Sequence, residues 1–542
     1  MKRLLLFQMI AVGALSCSVR DADDFELWTR SYLLPLEQAE LKAEETLGVV
    51  AMRVTPGEYE PAVFAVRPSA GQQVSVTISL KGTGDSPVPE GWISLKGVRG
   101  LEEDSRPNRL VELNSSETLS PDRTQFYWIT LRPPLDALAG RYEAELVVSS
   151  ESGTRSLPLA CEVLPFTLED SPVKGGAFMW LIDLPPGWYQ DMKEHGLDGI
   201  QFFTWEWDIR EMETDRSQWA WEPAPIKISR VGNGIDLDFA EMDRIMAEIN
   251  TAGMRGPVVV SLGNDHHLFY ECRIAEEMGW PIETSQEVDG KPIIAPPVFS
   301  KLDKLYVDGL RQLREHWEEK AYPQELVILI YDEPTERLLE RCKGRYDLLK
   351  KAMPENRVYG VVMNRREWAE SMLDQMDIIV ANGDFVGNRD LARKEGKGYF
   401  VYSGPLRSVA LSRYNMGCLP WIVDAEGVFF WMYNYWFYNP DGCAVYMDSD
   451  DPNQLIPSTS WEAVREGMDD LRYFATAENR IKTAAPEKRA VALDTLQLLK
   501  ASLDPNHGRR LGRRRERERR AEDFLEAQRV RDEVIEIILS LN

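Results

Sequence analysis

Histidine and cysteine are scarce in this chain, at five and six among 542 residues. The cysteines (Cys17, Cys161, Cys272, Cys342, Cys418 and Cys443) are scattered and never form C-x-x-C. That excludes a disulfide framework and a zinc site, and leaves buried apolar fillers with one or two bridges at most. Basic charge is also short, with 63 Lys and Arg against 88 Asp and Glu, a net charge of −25. A nucleic-acid binder is therefore not expected, and neutral or cationic partners are favoured. No G-x-G-x-x-G opens the α/β region and no solenoid repeat stands out, so neither a dinucleotide fold nor a repeat array is indicated. His266 and His267 stand beside Asp265, but adjacent side chains on an extended loop diverge and no third ligand follows at fixed spacing. Substrate hydrogen bonding or loop structure is expected there, with no metal and no cofactor.

The N-terminus has the form of an export signal. Lys2 and Arg3 precede an apolar stretch from Leu4 to Leu15, too short to span a bilayer as a mature helix. Ser16-Cys17 follows directly and resembles a lipobox, although Ala14 occupies the position usually held by Leu. Residues 1–20 are thus expected to direct export to the periplasm or cell surface, with Cys17 as a lipid anchor or with ordinary cleavage nearby.

Three further regions are expected. Residues 21–169 carry short alternating runs, such as Gln73–Leu80 and Tyr142–Val148, bounded by Gly, Pro, Ser and Asp. That rhythm fits a β-sandwich. Residues 170–480 alternate apolar strands with amphipathic helices. The eight strand candidates are Gly176–Ile182, Gly199–Phe203, Gly256–Leu262, Leu326–Tyr331, Val358–Met363, Asp377–Val380, Gly398–Tyr402 and Gly427–Trp431. Helical patterns lie between several of them, over Phe239–Thr251, Leu302–Trp317 and Arg337–Met353. Eight β-then-α units imply a (β/α)₈ barrel of TIM type. Residues 481–542 read as a charged helical tail. Its arginine run from Arg509 to Arg520 is interleaved with acids, and such mixed charge is expected on a solvated face.

In such a barrel the residues just past each strand converge on one pocket. The run Glu325–Tyr331 ends in Asp332-Glu333-Pro334, and Pro334 cannot continue a ladder. Two adjacent carboxylates at a strand mouth supply the acid and charged partner that glycosidic cleavage needs. A surface turn whose acids precede the next helix, near Thr335 and Glu336, is the plainer alternative. The other strand ends offer Trp205, Glu206, Asn264, His266, Asn364, Asn382, Asp384, Tyr402, Trp431 and Asn434. Aromatic faces with amides and carboxylates form a sugar-binding inventory, in a chain with 16 Trp.

Many retaining barrel glycosidases carry a nucleophilic carboxylate after strand seven, yet Gly398–Gly404 contains none. The substrate's own 2-acetamido group can replace it. Glu333 would then protonate the leaving oxygen while Asp332 orients the acetamido group. Strand pleating opposes this, because it sends successive side chains to opposite faces. A hydrolase using Glu206 or Asp384 as base stays open, as does a glycan-binding protein without catalysis.

Several segments also carry a resemblance. They are Gly57-Glu58-Tyr59-Glu60-Pro61, Gly140-Arg141-Tyr142, Tyr331–Pro334, Arg413–Gly417, Gly427–Asn434 and Trp461–Tyr473. In this order they resemble glycoside hydrolase family 123 and its relatives grouped as domain of unknown function 4091. The likeness spans roughly residues 25–480. It implies a sandwich plus a (β/α)₈ barrel, a β-N-acetylgalactosaminidase-like activity on N-acetylhexosamine-containing glycans by substrate assistance, and the family's Asp-Glu pair on Asp332 and Glu333. One departure is that Ser460 precedes Trp461 where the family motif usually has Arg.

Overall fold

The computed structural model describes residues 24–36, 46–69, 71, 73–100, 108–121, 123–179, 184–185, 187–203, 225–264, 267–288, 291–362, 366–404, 406, 408–434, 442–448, 451, 454–513 and 520–541. The N-terminal part forms two five-stranded sheets. One orders Phe25–Arg30, Glu60–Pro68, Gln125–Leu131, Ile93–Arg99 and Arg109–Glu112; the other orders Val50–Val54, Thr154–Val163, Gly140–Ser149, Val74–Thr83 and Glu117–Leu119. Alternation drives their packing. Val74 and Val76 are buried while Ser75 and Thr77 are exposed. Inward residues of both sheets, among them Phe64, Tyr127, Leu146 and Leu159, share one core. The first sheet is buried on its second face as well, where Val63, Ala65, Phe126 and Trp128 meet Ala410 and Phe524.

The following part is an eight-stranded parallel sheet that curls almost shut. We label its strands β1 (Lys174–Met179), β2 (Leu197–Phe203), β3 (Val258–Ser261), β4 (Leu326–Leu329), β5 (Tyr359–Val362), β6 (Ile378–Ala381), β7 (Gly398–Ser403) and β8 (Gly427–Phe430). The pairing order is β4-β3-β2-β1-β8-β7-β6-β5. A single parallel bridge, Ile328 to Val358, joins the two ends, with Ile328 N donating to Arg357 O at 3.1 Å. At least one helix follows each strand, because a parallel neighbour can be reached only by a crossover. Each expected strand overlaps an observed one, and the helices Ala240–Thr251, Ser300–Lys320 and Glu336–Ala352 lie where the periodicity placed them. Val259, Val327, Leu329, Tyr359, Val361, Val380, Phe400, Tyr402 and Phe429 fill the lumen. Opposite faces of the strands pack under the helices. The five cysteines after Cys17 are all buried and none is in a disulfide.

In the C-terminal segment Arg510 and Arg520, within the arginine run, are exposed, whereas the helix that follows the run is buried on one side. Helix Glu526–Ser540 buries Ala527, Val530, Val534, Ile535 and Ile538, and Arg531 lies within that stripe at 1% exposure. Arg531 bonds Glu58 and Glu60 of the sandwich and Glu466 and Asp470 of helix Thr459–Thr483. Arg413 holds Asp470 with two bonds of 2.9 Å. It reaches that position because helices Val409–Met416 and Thr459–Thr483 touch backbone to backbone. A Cβ on Gly467 would lie 2.8 Å from Arg413 O. The charged tail thus closes the joint between sandwich and barrel, and its arginine is tied to carboxylates that lie far away in sequence.

Candidate active site

Strand β4 begins with regular alternation: Val327 and Leu329 face the lumen, Leu326 and Ile328 the outer layer. Ile330 faces outward in turn, but Tyr331 does so as well. The cause lies behind the strand. The Tyr331 hydroxyl donates to Glu271, a fully buried carboxylate on helix Phe269–Met278 that Arg341 and Arg345 also grip. Burial alone would raise the Glu271 pKa, but the two guanidinium groups hold it below the ordinary value. Room for the swing comes from Gly263, where a Cβ would meet Tyr331 Cδ1 at 3.1 Å and His267 O at 2.7 Å. The ladder records the slip. Leu262 N donates to Leu329 O at 2.8 Å, and the next bond runs from Asp332 N to Gly263 O at 3.0 Å.

Two consecutive outward residues reset the parity, and Asp332 arrives at the lumen mouth. Its charge acts on the lumen hydroxyls of Tyr359 and Tyr402, whose pKa values are raised first by burial and then by Asp332. Glu333 follows with φ at +47°, in the left-handed region that few non-glycine residues adopt. Glu333 also acts on Tyr402, and its Oε1 accepts from Asn382 Nδ2 at 2.6 Å. The pleating objection is met: both carboxylates face the same mouth. Helix Glu336–Ala352 begins only after Thr335.

The remaining expected residues divide by place. Asn382 follows β6, and Tyr402 lies buried in β7. Trp431 follows β8, borders the lumen cluster and packs on Phe178 at 4.4 Å between ring centroids. Its peptide bond to Met432 is cis. Asn434 is fully buried. Asn264 Oδ1 accepts from His267 N at 2.7 Å and thereby closes the loop after β3. Asp384 is exposed and caps helix Phe385–Glu395, accepting from Gly387 N at 3.3 Å. Trp205, Glu206, His266 and Asn364 lie outside the described residues.

Reading only strand ends missed groups within the strands and beyond the barrel. Tyr359 belongs to β5, and Gln201 and Ser261 are polar residues buried inside β2 and β3. Among the described residues the Gln201 amide, the Ser261 hydroxyl and the Tyr359 hydroxyl have no hydrogen-bond partner. A polar residue inside an apolar barrel strand was the available signal. Arg509, from the C-terminal segment, donates to the Asn382 side chain at 3.1 Å; no local pattern announced it. A separate cavity of about 560 Å³ opens at the other end of the barrel. Its lining includes two ion pairs, Arg357 with Glu325 at 2.6 Å and Lys500 with Asp424 at 2.5 Å.

A carboxylate pair at the C-terminal mouth of a parallel barrel, beside buried tyrosines and an amide, can donate a proton and stabilise an adjacent positive centre. That is the equipment of a sugar hydrolase. The comparisons agree with it. Residues 188–477, over half of the chain, match the model of the glycoside hydrolase 123 catalytic domain. The chain belongs to glycoside hydrolase family 123. Its fold is similar to that of a family 123 glycoside hydrolase from Clostridium perfringens, described in connection with glycolipid glycan hydrolysis. The TM-score is 0.70 at 13% identity, over 95% of this chain and 99% of that one. Two β-glucuronidases are far less similar. One, from Bacteroides uniformis, has a TM-score of 0.28 at 12% identity, over 76% of this chain and 46% of its own. The other, from Parabacteroides merdae, has a TM-score of 0.32 at 10% identity, over 82% and 52%. No curated protein matches this chain.

Proposed function

We propose that this chain is an exported, retaining β-N-acetylhexosaminidase of N-acetylgalactosaminidase-like specificity, in which the substrate's 2-acetamido group is the nucleophile. The observation that carries the reading is the parity reset at Tyr331, which leaves Asp332 and Glu333 on one side of the barrel wall. In the first step the acetamido oxygen forms a bond to C1 as the C1–O bond to the leaving group breaks. Glu333 gives its proton to the departing oxygen. Asp332 accepts a hydrogen bond from the acetamido N–H and stabilises the oxazolinium ion. Water then attacks C1, Glu333 takes the water's proton, and the ring opens to the free sugar with the anomeric configuration retained. The absence of a carboxylate from Gly398–Gly404 supports this route over a protein nucleophile. We read the barrel as (β/α)₈, with Trp431 and Tyr402 walling the sugar site.

The test is release of 4-nitrophenol from 2-acetamido and 2-hydroxy β-glycosides. Turnover confined to 2-acetamido sugars is expected; turnover of 2-hydroxy sugars would remove acetamido participation. Glu333→Gln should slow substrates with poor leaving groups by roughly 10²–10⁴-fold and activated aryl glycosides far less. Asp332→Asn should harm both kinds alike and weaken binding of an acetamido-derived thiazoline. For export, the mass of the mature N-terminus decides: a diacylglyceryl Cys17 marks a lipid anchor, and a plain terminus near Ser18 marks soluble secretion.

A further inference from the structure

Glu333 is held by a chain of contacts that begins outside the barrel. Asn382 donates its Nδ2 to Glu333 Oε1 at 2.6 Å, and its Oδ1 accepts from Arg509 at 3.1 Å. The same Arg509 nitrogen also donates to the Asn382 carbonyl, and its guanidinium lies over the Phe385 ring, 5.4 Å from the centroid. Arg509 sits on helix His507–Arg513, well beyond the residues matched to the catalytic domain. That helix is docked on the barrel. Asp504 O, just before it, accepts from Tyr414 at 2.9 Å, and a Cβ on Gly508 would overlap Asn415 Oδ1 at 2.2 Å.

A guanidinium has donors only, whereas a primary amide has a donor end and an acceptor end. Arg509 therefore decides which way the Asn382 amide points: the oxygen must face Arg509, and the NH₂ must face Glu333. Glu333 Oε1 is then fixed as an acceptor, and a proton on the Glu333 carboxyl belongs on Oε2. We propose that Arg509 is a positioning residue for the general acid. It locks the Asn382 amide so that the proton of Glu333 is carried on Oε2, the oxygen that meets the leaving group. This rests on the role proposed for Glu333. It gives the C-terminal segment a share in the chemistry as well as in the fold. Without Arg509 the amide can turn over and present its oxygen to Glu333. The proton would then be drawn to Oε1, facing away from the leaving group.

The experiment compares Arg509→Met, Arg509→Lys, Asn382→Ala and the double variant Asn382→Ala with Arg509→Met. Each is assayed on a 2-acetamido β-glycoside with an alkyl leaving group and on one with a dinitrophenyl leaving group. Arg509→Met should lower kcat on the alkyl glycoside by about tenfold, as a partial loss of general-acid catalysis. The dinitrophenyl glycoside and KM should change less than about twofold. Arg509→Lys keeps one donor and should recover part of the rate, which also serves if Arg509→Met folds poorly. The double variant should be no slower than Asn382→Ala alone, because Arg509 acts through the amide. Equal losses on both leaving groups, or multiplicative losses in the double variant, would overturn the proposal. Glu333→Gln separates the two levels. If it spares the alkyl glycoside, the general-acid role falls and this proposal with it. If it shows the leaving-group signature while Arg509→Met does not, only the Arg509 proposal falls.

Discussion

Two buried charge clusters in this molecule use the same residue types in different proportion. Behind β4 one carboxylate, Glu271, faces two guanidinium groups, Arg341 and Arg345, at 1% exposure. At the joint between sandwich and barrel two guanidinium groups, Arg413 and Arg531, serve four carboxylates: Glu58, Glu60, Glu466 and Asp470. In the first cluster the two cations serve Glu271 and the less buried Asp303, which Arg345 holds at 2.5 Å, and Glu271 is held in its ionised form. In the second, burial pushes Glu466 up to about 8. Arg531 and Arg413 oppose this, while Asp469 and Glu58 add to the rise. Glu58 and Glu60 are raised too, with burial the first cause of each. Buried charge costs several kcal/mol per ion unless it is compensated. The first cluster is a fixed anchor, and the second, where burial outweighs two shared cations, is a store of protons. The anchor aims Tyr331 and so the carboxylate pair; the store holds two regions of the fold together.

The harshest way to break this comparison is to remove the cation that four carboxylates share. Arg531→Met should destabilise the protein by roughly 3–5 kcal/mol, read as a lowered denaturant midpoint. A loss below about 1 kcal/mol would show that the joint is held by apolar packing alone. The anchor should respond more gently in stability and more sharply in function. Tyr331→Phe removes one hydrogen bond to a charged acceptor, worth about 1.5–3 kcal/mol. It also frees β4 to resume its pleat. Activity on 2-acetamido glycosides should therefore fall much more than stability, and retention of full activity would unlink the Glu271 anchor from the site.

The mildest effects are in pH dependence, where the two clusters have opposite sign. Glu271 has a lowered folded pKa, so its contribution is complete above the ordinary carboxylate range and is lost as pH falls through the folded value. Glu466 has a raised one, so the folded state binds the extra proton. Its contribution is present below the ordinary value of 4.5 and is lost as pH rises towards about 8. Stability measured by denaturation should decline across that window, and Glu466→Gln should flatten the decline. A slope unchanged by the substitution would place the stored proton elsewhere in the joint.

Much of this was legible in the chain. Alternation and apolar runs located the sheets, the eight barrel strands and three of the helices, because period 2 and period 3.6 are local properties of the backbone. The apolar run closed by Pro334 marked the strand end that carries Asp332 and Glu333. The motifs behind the family resemblance were also visible, but their physical work was not. Glu58 from one motif, Arg413 from another and Glu466 and Asp470 from a third meet around Arg531, which belongs to none of them. Charge pattern spoke only for the run Arg509–Arg520 and said nothing of helix Glu526–Ser540, since a helix that buries an arginine reads like any other until its partners are known.

What the sequence by itself determined is the order of elements, the lumen and sandwich cores, and the carboxylate pair at the end of β4. Only tertiary structure decided which way that pair faces and what holds it. A pleated strand would have separated Asp332 from Glu333. The outward pull of Glu271 on Tyr331, through space from the next helix, turns them to one mouth. Arg509 reaches Asn382 across 127 positions of chain. Such contacts are set by the geometry of packed elements, and no window of neighbouring residues contains them.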